Sequence, residues 1–126
     1  MSINWSDLNY IAITVGGLLY MVYGGIYYSV LLSGKKEYAS NGSFKYIYSV
    51  IIAFISSFLM AILIHMTGAE TCLQGALIGF IIGIFIKIVY VKNALFGLLS
   101  KRATLVAIFD HLIIFTLLGA LHGCFQ

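Results

Sequence analysis

CLQGALIGFIIGIFIKIVYV, Cys72 to Val91, decides the fold. Lys87 is the single charge in this run, and glycine recurs at Gly75, Gly79 and Gly83. A helix of about 20 apolar residues crosses the roughly 30 Å of hydrocarbon in a bilayer. A helix on the surface of a soluble domain carries a polar face opposite its apolar stripe. This stretch has no such face, so it predicts a membrane span.

Working outward, three more stretches meet the same length. They run from about Leu8 to Leu32, Tyr46 to Met66 and Ala103 to Phe125. SGKKEYASNGSFK separates the first two and reads as a polar loop, TGAET is a short turn, and KNALFGLLSKR joins the last two with ALFGLL at the interface. The whole chain is 62% apolar and 9% charged, against about 25% charged in soluble domains. Its 126 residues make one unit, residues 1–126, and proline is absent, so no proline kinks a span. The N-terminal MSINWSDLNY has no basic residue, so the first span is expected to stay as an anchor rather than be cleaved as a signal.

The charges set the orientation. Lys35, Lys36 and Lys45 lie between spans one and two; Lys87, Lys92, Lys101 and Arg102 lie at or after the end of span three. All seven basic residues thus fall on one side, while the other side holds Asp7 and Glu70. The positive-inside rule then predicts an all-α, up-down bundle of four transmembrane helices with both termini on the non-cytoplasmic side. Scattered along helix ends, the basic residues form no nucleic-acid-binding face.

In lipid, helices associate by close backbone approach at small residues. Gly75, Gly79 and Gly83 on span three, and Ser49, Ala53, Ser57 and Ala61 on span two, repeat at every fourth position. Span one has Gly16–Gly17 and Gly24–Gly25 interleaved with Tyr20, Tyr23 and Tyr27 on one face. Those rings either fill grooves left by glycines of a neighbour or wall a quinone, pigment or lipid headgroup.

Few polar groups lie inside. Asp110 is eight residues beyond Arg102, about 12 Å into span four, and Lys87 is five before Lys92, about 7 Å into span three from the same side. A lone charge at mid-membrane costs about 2.5–3.5 kcal/mol or more, so Lys87 and Asp110 are expected to face inward and pair. Tyr28 and Ser29 reach a similar level; His111 points about 100° away from Asp110. Such a pair either fixes helix register or handles protons or ions. Towards the other side, His65 and His122 reach one level, as a haem or metal site would require, although no CxxCH or HExxH pattern is present. Cys72 and Cys124 also share a level, where they either bridge or remain free thiols.

With these residues in hand, the chain resembles a family of small membrane proteins catalogued as domain-of-unknown-function family 1761. The resemblance rests on GGIYYSVLLSGK, with Gly24, Tyr27, Tyr28, Ser29, Gly34 and Lys35 in matching places, and on LIHMTGAETCLQGALIG, NALF and FDHLIIFTLLGALHG. Tyr27 stands where the family often has tryptophan, and Val30 where it has proline. The likeness covers nearly the whole chain. It implies four spans in a bacterial-type membrane and supplies no activity.

The expected function is non-enzymatic: an integral protein of a bacterial or organellar inner membrane that works by packing, as an oligomer or an accessory subunit of a larger complex, with lipid as its surroundings and no cofactor. An alternative is a small ion or proton-coupled transporter using Lys87, Asp110 and His111. A third is a haem- or quinone-binding electron-transfer unit.

Overall fold

The computed structural model describes residues 3–32 and 42–126, which are all helix and short connections. A 3₁₀ turn at Trp5–Asp7 precedes four helices: α1 Tyr10–Leu32, α2 Gly42–Thr67, α3 Cys72–Leu95 and α4 Lys101–Cys124. All four are long and apolar enough to cross a membrane. The Gly34, Lys35 and Lys36 of the first loop lie outside the described residues.

Two helix ends extend past the apolar runs. α2 begins at Gly42 rather than Tyr46, and α3 continues to Leu95 rather than Val91. Hydropathy marks what hydrocarbon tolerates, whereas a helix ends where its free backbone groups find other partners. The Thr71 hydroxyl accepts from the Gln74 N–H at 3.2 Å to start α3, and the Ser100 hydroxyl accepts from the Ala103 N–H at 3.1 Å to start α4. After α3 the chain turns at Gly97, φ +79°, a conformation that glycine adopts without the clash a β-carbon would bring.

The closest packing is between α3 and α4. A β-carbon placed on Gly75 would overlap the Gly119 carbonyl oxygen, and one on Gly79 the Phe115 carbonyl oxygen. Gly83 lies against Leu112, and Gly123 against the Thr71 carbonyl. The two backbones therefore touch along the whole glycine row, the contact that small residues permit in lipid. Cys72, at the start of α3, and Cys124, at the end of α4, are joined as a disulfide with Cα atoms 4.4 Å apart.

α1 and α2 meet through side chains. Gly17 receives the ring of Phe54, and Trp5 lies parallel to Phe58 with ring centroids 6.2 Å apart. Of the α2 row, Ala53, Ser57 and Ala61 are buried, whereas Ser49 is on the outer surface. Met60, Ile64, Ala69 and Leu118 form the apolar core between α2 and α4, with Ile82 of α3 packed against it. The α1 tyrosines do not fill the glycine grooves, contrary to the first of the two sequence readings. Those grooves are occupied by helix backbone and by Phe54, and the tyrosines are turned towards α4 instead.

Candidate functional site

Two polar clusters sit on the faces where α1 meets α4. The first centres on Asp110. This residue is only 7% exposed, nine residues into a helix of otherwise apolar character. The Tyr28 hydroxyl donates to its Oδ2 at 2.6 Å. One residue earlier, the Tyr27 hydroxyl donates to the Val106 carbonyl at 2.8 Å, so two successive α1 tyrosines tie α1 to successive turns of α4. Their rings belong to a stack: Tyr23 and Tyr27 are 5.6 Å apart and near parallel, and Tyr27 and Tyr28 are 5.4 Å apart edge to face. The bonds Asn9–Phe125, Tyr27–Val106 and Tyr28–Asp110 show that α1 and α4 run antiparallel, so Tyr23, one turn before Tyr27, is level with Asp110, one turn after Val106. The Tyr23 hydroxyl is buried and has no hydrogen-bond partner.

On the far side of Asp110, His111 donates from Nδ1 to the Ala107 carbonyl at 2.6 Å, which fixes the proton on that nitrogen because a carbonyl can only accept. Its ring lies between Tyr90, at 5.4 Å, and Phe115, at 6.1 Å, and Phe115 in turn meets the edge of Tyr20 at 6.3 Å. Tyr28 of α1 thus meets Asp110 directly, while the neighbouring His111 is held between rings of α3 and α4.

The expected Lys87–Asp110 ion pair is not formed. Lys87 is exposed on the outer surface of α3, and the hydroxyl of Tyr28 serves the buried carboxylate in its place. The physical reason is helix geometry. An every-fourth-residue row drifts by about 40° per step around a helix, so the row of Gly75, Gly79 and Gly83 has turned out of the α4 contact by Lys87, and Tyr90 continues the α4-facing side against His111 instead. Ser29, which the sequence placed at the same level, is exposed.

The second cluster lies nearer the chain termini. His122 is fully buried, with Nε2 3.0 Å from the Ser57 hydroxyl, which itself donates to the Ile13 carbonyl at 2.8 Å. A hydroxyl has one proton to give. Having given it to Ile13, Ser57 accepts from His122, so Nε2 carries the histidine proton. His122 Nδ1 is then a bare acceptor, buried and without a partner. Gly16 makes this possible, since a β-carbon there would overlap the Ser57 hydroxyl and crowd His122 Nε2.

This arrangement also corrects the paired-histidine reading. His122 spends Nε2 on Ser57 inside the bundle rather than presenting it beside His65 at an outer face. Among the described residues no group of three or more His, Cys, Asp or Glu side chains could hold a metal ion. An apolar groove of about 210 Å³ opens between α2 and α3, lined by Ser56, Leu59, Met60, Leu63, Ile82 and Phe115.

Sequence reasoning placed Asp110, Tyr28 and His111 at one level but missed Tyr90, and it read Ser57 as a packing residue. The Ser57 partnership had one legible signal, a hydroxyl and a histidine each beside small residues. Which of several serines would meet that histidine depended on the helix crossing.

A family model described as a protein of unknown function, DUF1761, matches residues 11–123. No curated protein matches the chain, and neither does any solved structure.

Proposed function

The chain belongs to the DUF1761 family, and on that footing we propose that it is a non-enzymatic membrane protein that acts by helix packing, as an oligomer or as an accessory subunit of a larger membrane complex. One observation carries this reading. Ile11, Val15, Leu18, Val22 and Gly25 follow the alternating four- and three-residue steps of a heptad seam on α1, and every one of them is exposed. A β-carbon at Gly24 or Gly25 would meet nothing within 4 Å, whereas Gly16, Gly17, Gly75, Gly79, Gly83, Gly119 and Gly123 are all covered. Among the described residues those covered glycines are closed against the chain itself and this face is left for another helix, the kind of surface that drives association in lipid.

In this reading the four helices run up and down, with both termini on the non-cytoplasmic side of a bacterial or organellar inner membrane. Two independent features support the orientation. Lys92, Lys101 and Arg102 are exposed at one end, and the Cys72–Cys124 disulfide lies at the other, where an oxidising compartment allows it to form.

The test is the size of the purified protein in mild detergent, together with whatever co-purifies. A complex larger than one chain that shrinks on Gly25→Leu supports the reading. A single chain with no partner, unchanged by Gly25→Leu, removes it. A reporter active only in the cytoplasm, fused to Gln126, should stay silent; a strong signal reverses the orientation.

A further inference from the structure

We propose that Asp110, Tyr28 and Tyr23 form a binding site for one monovalent cation, entered from the end of the bundle where α1 finishes and α4 begins. The site goes beyond the packing role and does not depend on it.

The argument begins with charge. Asp110 is more than nine-tenths buried in a bundle whose surroundings are hydrocarbon. A carboxylate in that setting is costly without a positive partner. Lys87 is exposed on another face. The basic side chain beside the carboxylate is His111; its Nδ1 proton goes to the Ala107 carbonyl, and its ring is charged only when Nε2 also holds a proton, so the carboxylate has no permanently charged partner. The remaining groups facing Asp110 are the phenols of Tyr20, Tyr23, Tyr27 and Tyr28 on α1, with Tyr90 of α3 beyond them. None of these supplies a positive charge. Apart from His111, the chain has surrounded a buried carboxylate with neutral oxygen atoms and ring faces.

The hydroxyls then divide by what they already do. Tyr27 is committed to the Val106 carbonyl, and the Tyr20 ring lies against Phe115. Tyr28 is on the carboxylate itself. Tyr23 is the idle one: its hydroxyl is buried with no partner, and its place one turn before Tyr27 on α1 sets it level with the carboxylate. A small cation seated at the carboxylate would gain the Asp110 oxygen, the Tyr28 oxygen and the otherwise unmet Tyr23 oxygen. Hard oxygen donors are what such cations prefer, and the Tyr23, Tyr27 and Tyr28 rings add the attraction of aromatic faces for positive charge. The charges balance: one carboxylate and one cation make a neutral site in a medium that penalises either alone. Tyr28 and Ser29 are exposed one turn before α1 ends, so the route inward is short.

A proton and an alkali ion satisfy the same charge requirement, and one experiment separates them. A hydrophobic carbodiimide reacts with a protonated carboxyl: the acid proton moves to a carbodiimide nitrogen and the carboxylate oxygen adds to the central carbon. Labelling of Asp110 in intact membranes, read by mass spectrometry of the α4 peptide, therefore reports how much of it carries a proton. The site predicts labelling that falls about tenfold per pH unit above its midpoint, as loss of a single proton requires. Suppression by sodium or potassium chloride at fixed pH, absent with choline chloride and abolished by Tyr23→Phe, identifies an alkali ion. The pH dependence with no salt effect identifies the proton. Tyr28→Phe should shift the profile, while Tyr48→Phe, on the outer surface of α2, should not. Two results overturn the proposal: labelling that is equal at every pH and salt, which makes Asp110 a permanent structural acid, or no labelling at any pH. Retention of the disulfide and of the helical circular dichroism shows that each variant is folded.

Discussion

The α3–α4 contact and the α1–α4 contact use opposite means to hold helices together. Along α3 and α4 side chains are missing: glycine faces glycine, and carbonyl oxygens lie where β-carbons would otherwise be. Along α1 and α4 the contact is made by side chains with something to donate: Tyr28 to Asp110, Tyr27 to Val106, and Ser57 of α2 bridging Ile13 and His122. The first contact gains dispersion and backbone proximity and has no tolerance for volume. The second uses discrete bonds, each with a separable loss, and leaves buried polar atoms such as Tyr23 Oη available for something else. A rigid hairpin next to a polar, partly unsatisfied seam suits a structure in which one part holds shape and the other can respond.

The largest expected effect breaks the rigid half. Gly79→Leu drives a branched side chain into the Phe115 carbonyl, which is backbone and cannot rotate away. A loss of about 3 kcal/mol or more is expected, seen as a collapse of the folded fraction in detergent. Gly24→Leu has open space and should leave the stability of a single chain unchanged, so equal damage from both would erase the distinction between covered and open glycines.

Next comes the disulfide, which locks the same hairpin at the end opposite its short connection. Cys72→Ser should cost about 2–4 kcal/mol, measured as a lower melting temperature that reducing agent reproduces in the native chain and does not lower further in the variant.

The polar seam should yield less per change. Ser57→Ala takes the acceptor from a fully buried His122 N–H, for a loss of about 1–3 kcal/mol. If His122→Phe on that background restores much of the loss, the bond is what Ser57 contributes; if it restores nothing, Ser57 acts through packing.

Smallest of all is Lys87→Gln. An exposed side chain away from Asp110 should change stability by less than about 0.5 kcal/mol. A double-mutant cycle with Asp110→Asn should show no coupling. Coupling above about 1 kcal/mol would place the lysine back at the carboxylate and remove the need for an outside cation.

Much of this was legible in one dimension. The four spans are written in runs long enough to satisfy a bilayer, and the glycine row of α3 is written at helical period, because both are properties of a single helix in a uniform solvent. Most helix ends, Leu32, Thr67 and Cys72 among them, fall within two residues of the limits of the apolar runs; the start of α2 and the end of α3 lie four residues beyond, where the helix continues past the apolar run. The carboxylate could be recognised as buried from its apolar neighbours Phe109 and Leu112, since hydrocarbon leaves a charge on a span few other places to be.

Partnership was another matter. Depth along the helix axis made Lys87 and Tyr28 equally eligible for Asp110, and Ser49 and Ser57 equally eligible as inward-facing small residues. The rotation of each helix about its axis chose among them. That rotation is set jointly by contacts on every face: with the glycines of α3 against the α4 backbone, the drift of their row left Lys87 outside the contact, and once Gly16 and Gly17 admitted Ser57 and Phe54, the tyrosines of α1 came to face Asp110. By itself the sequence determined which helices exist, how long they are and which positions allow backbones to touch. Only the tertiary structure decided which side of each helix meets which neighbour, because a rotation about the axis leaves every local preference unchanged while exchanging every long-range partner.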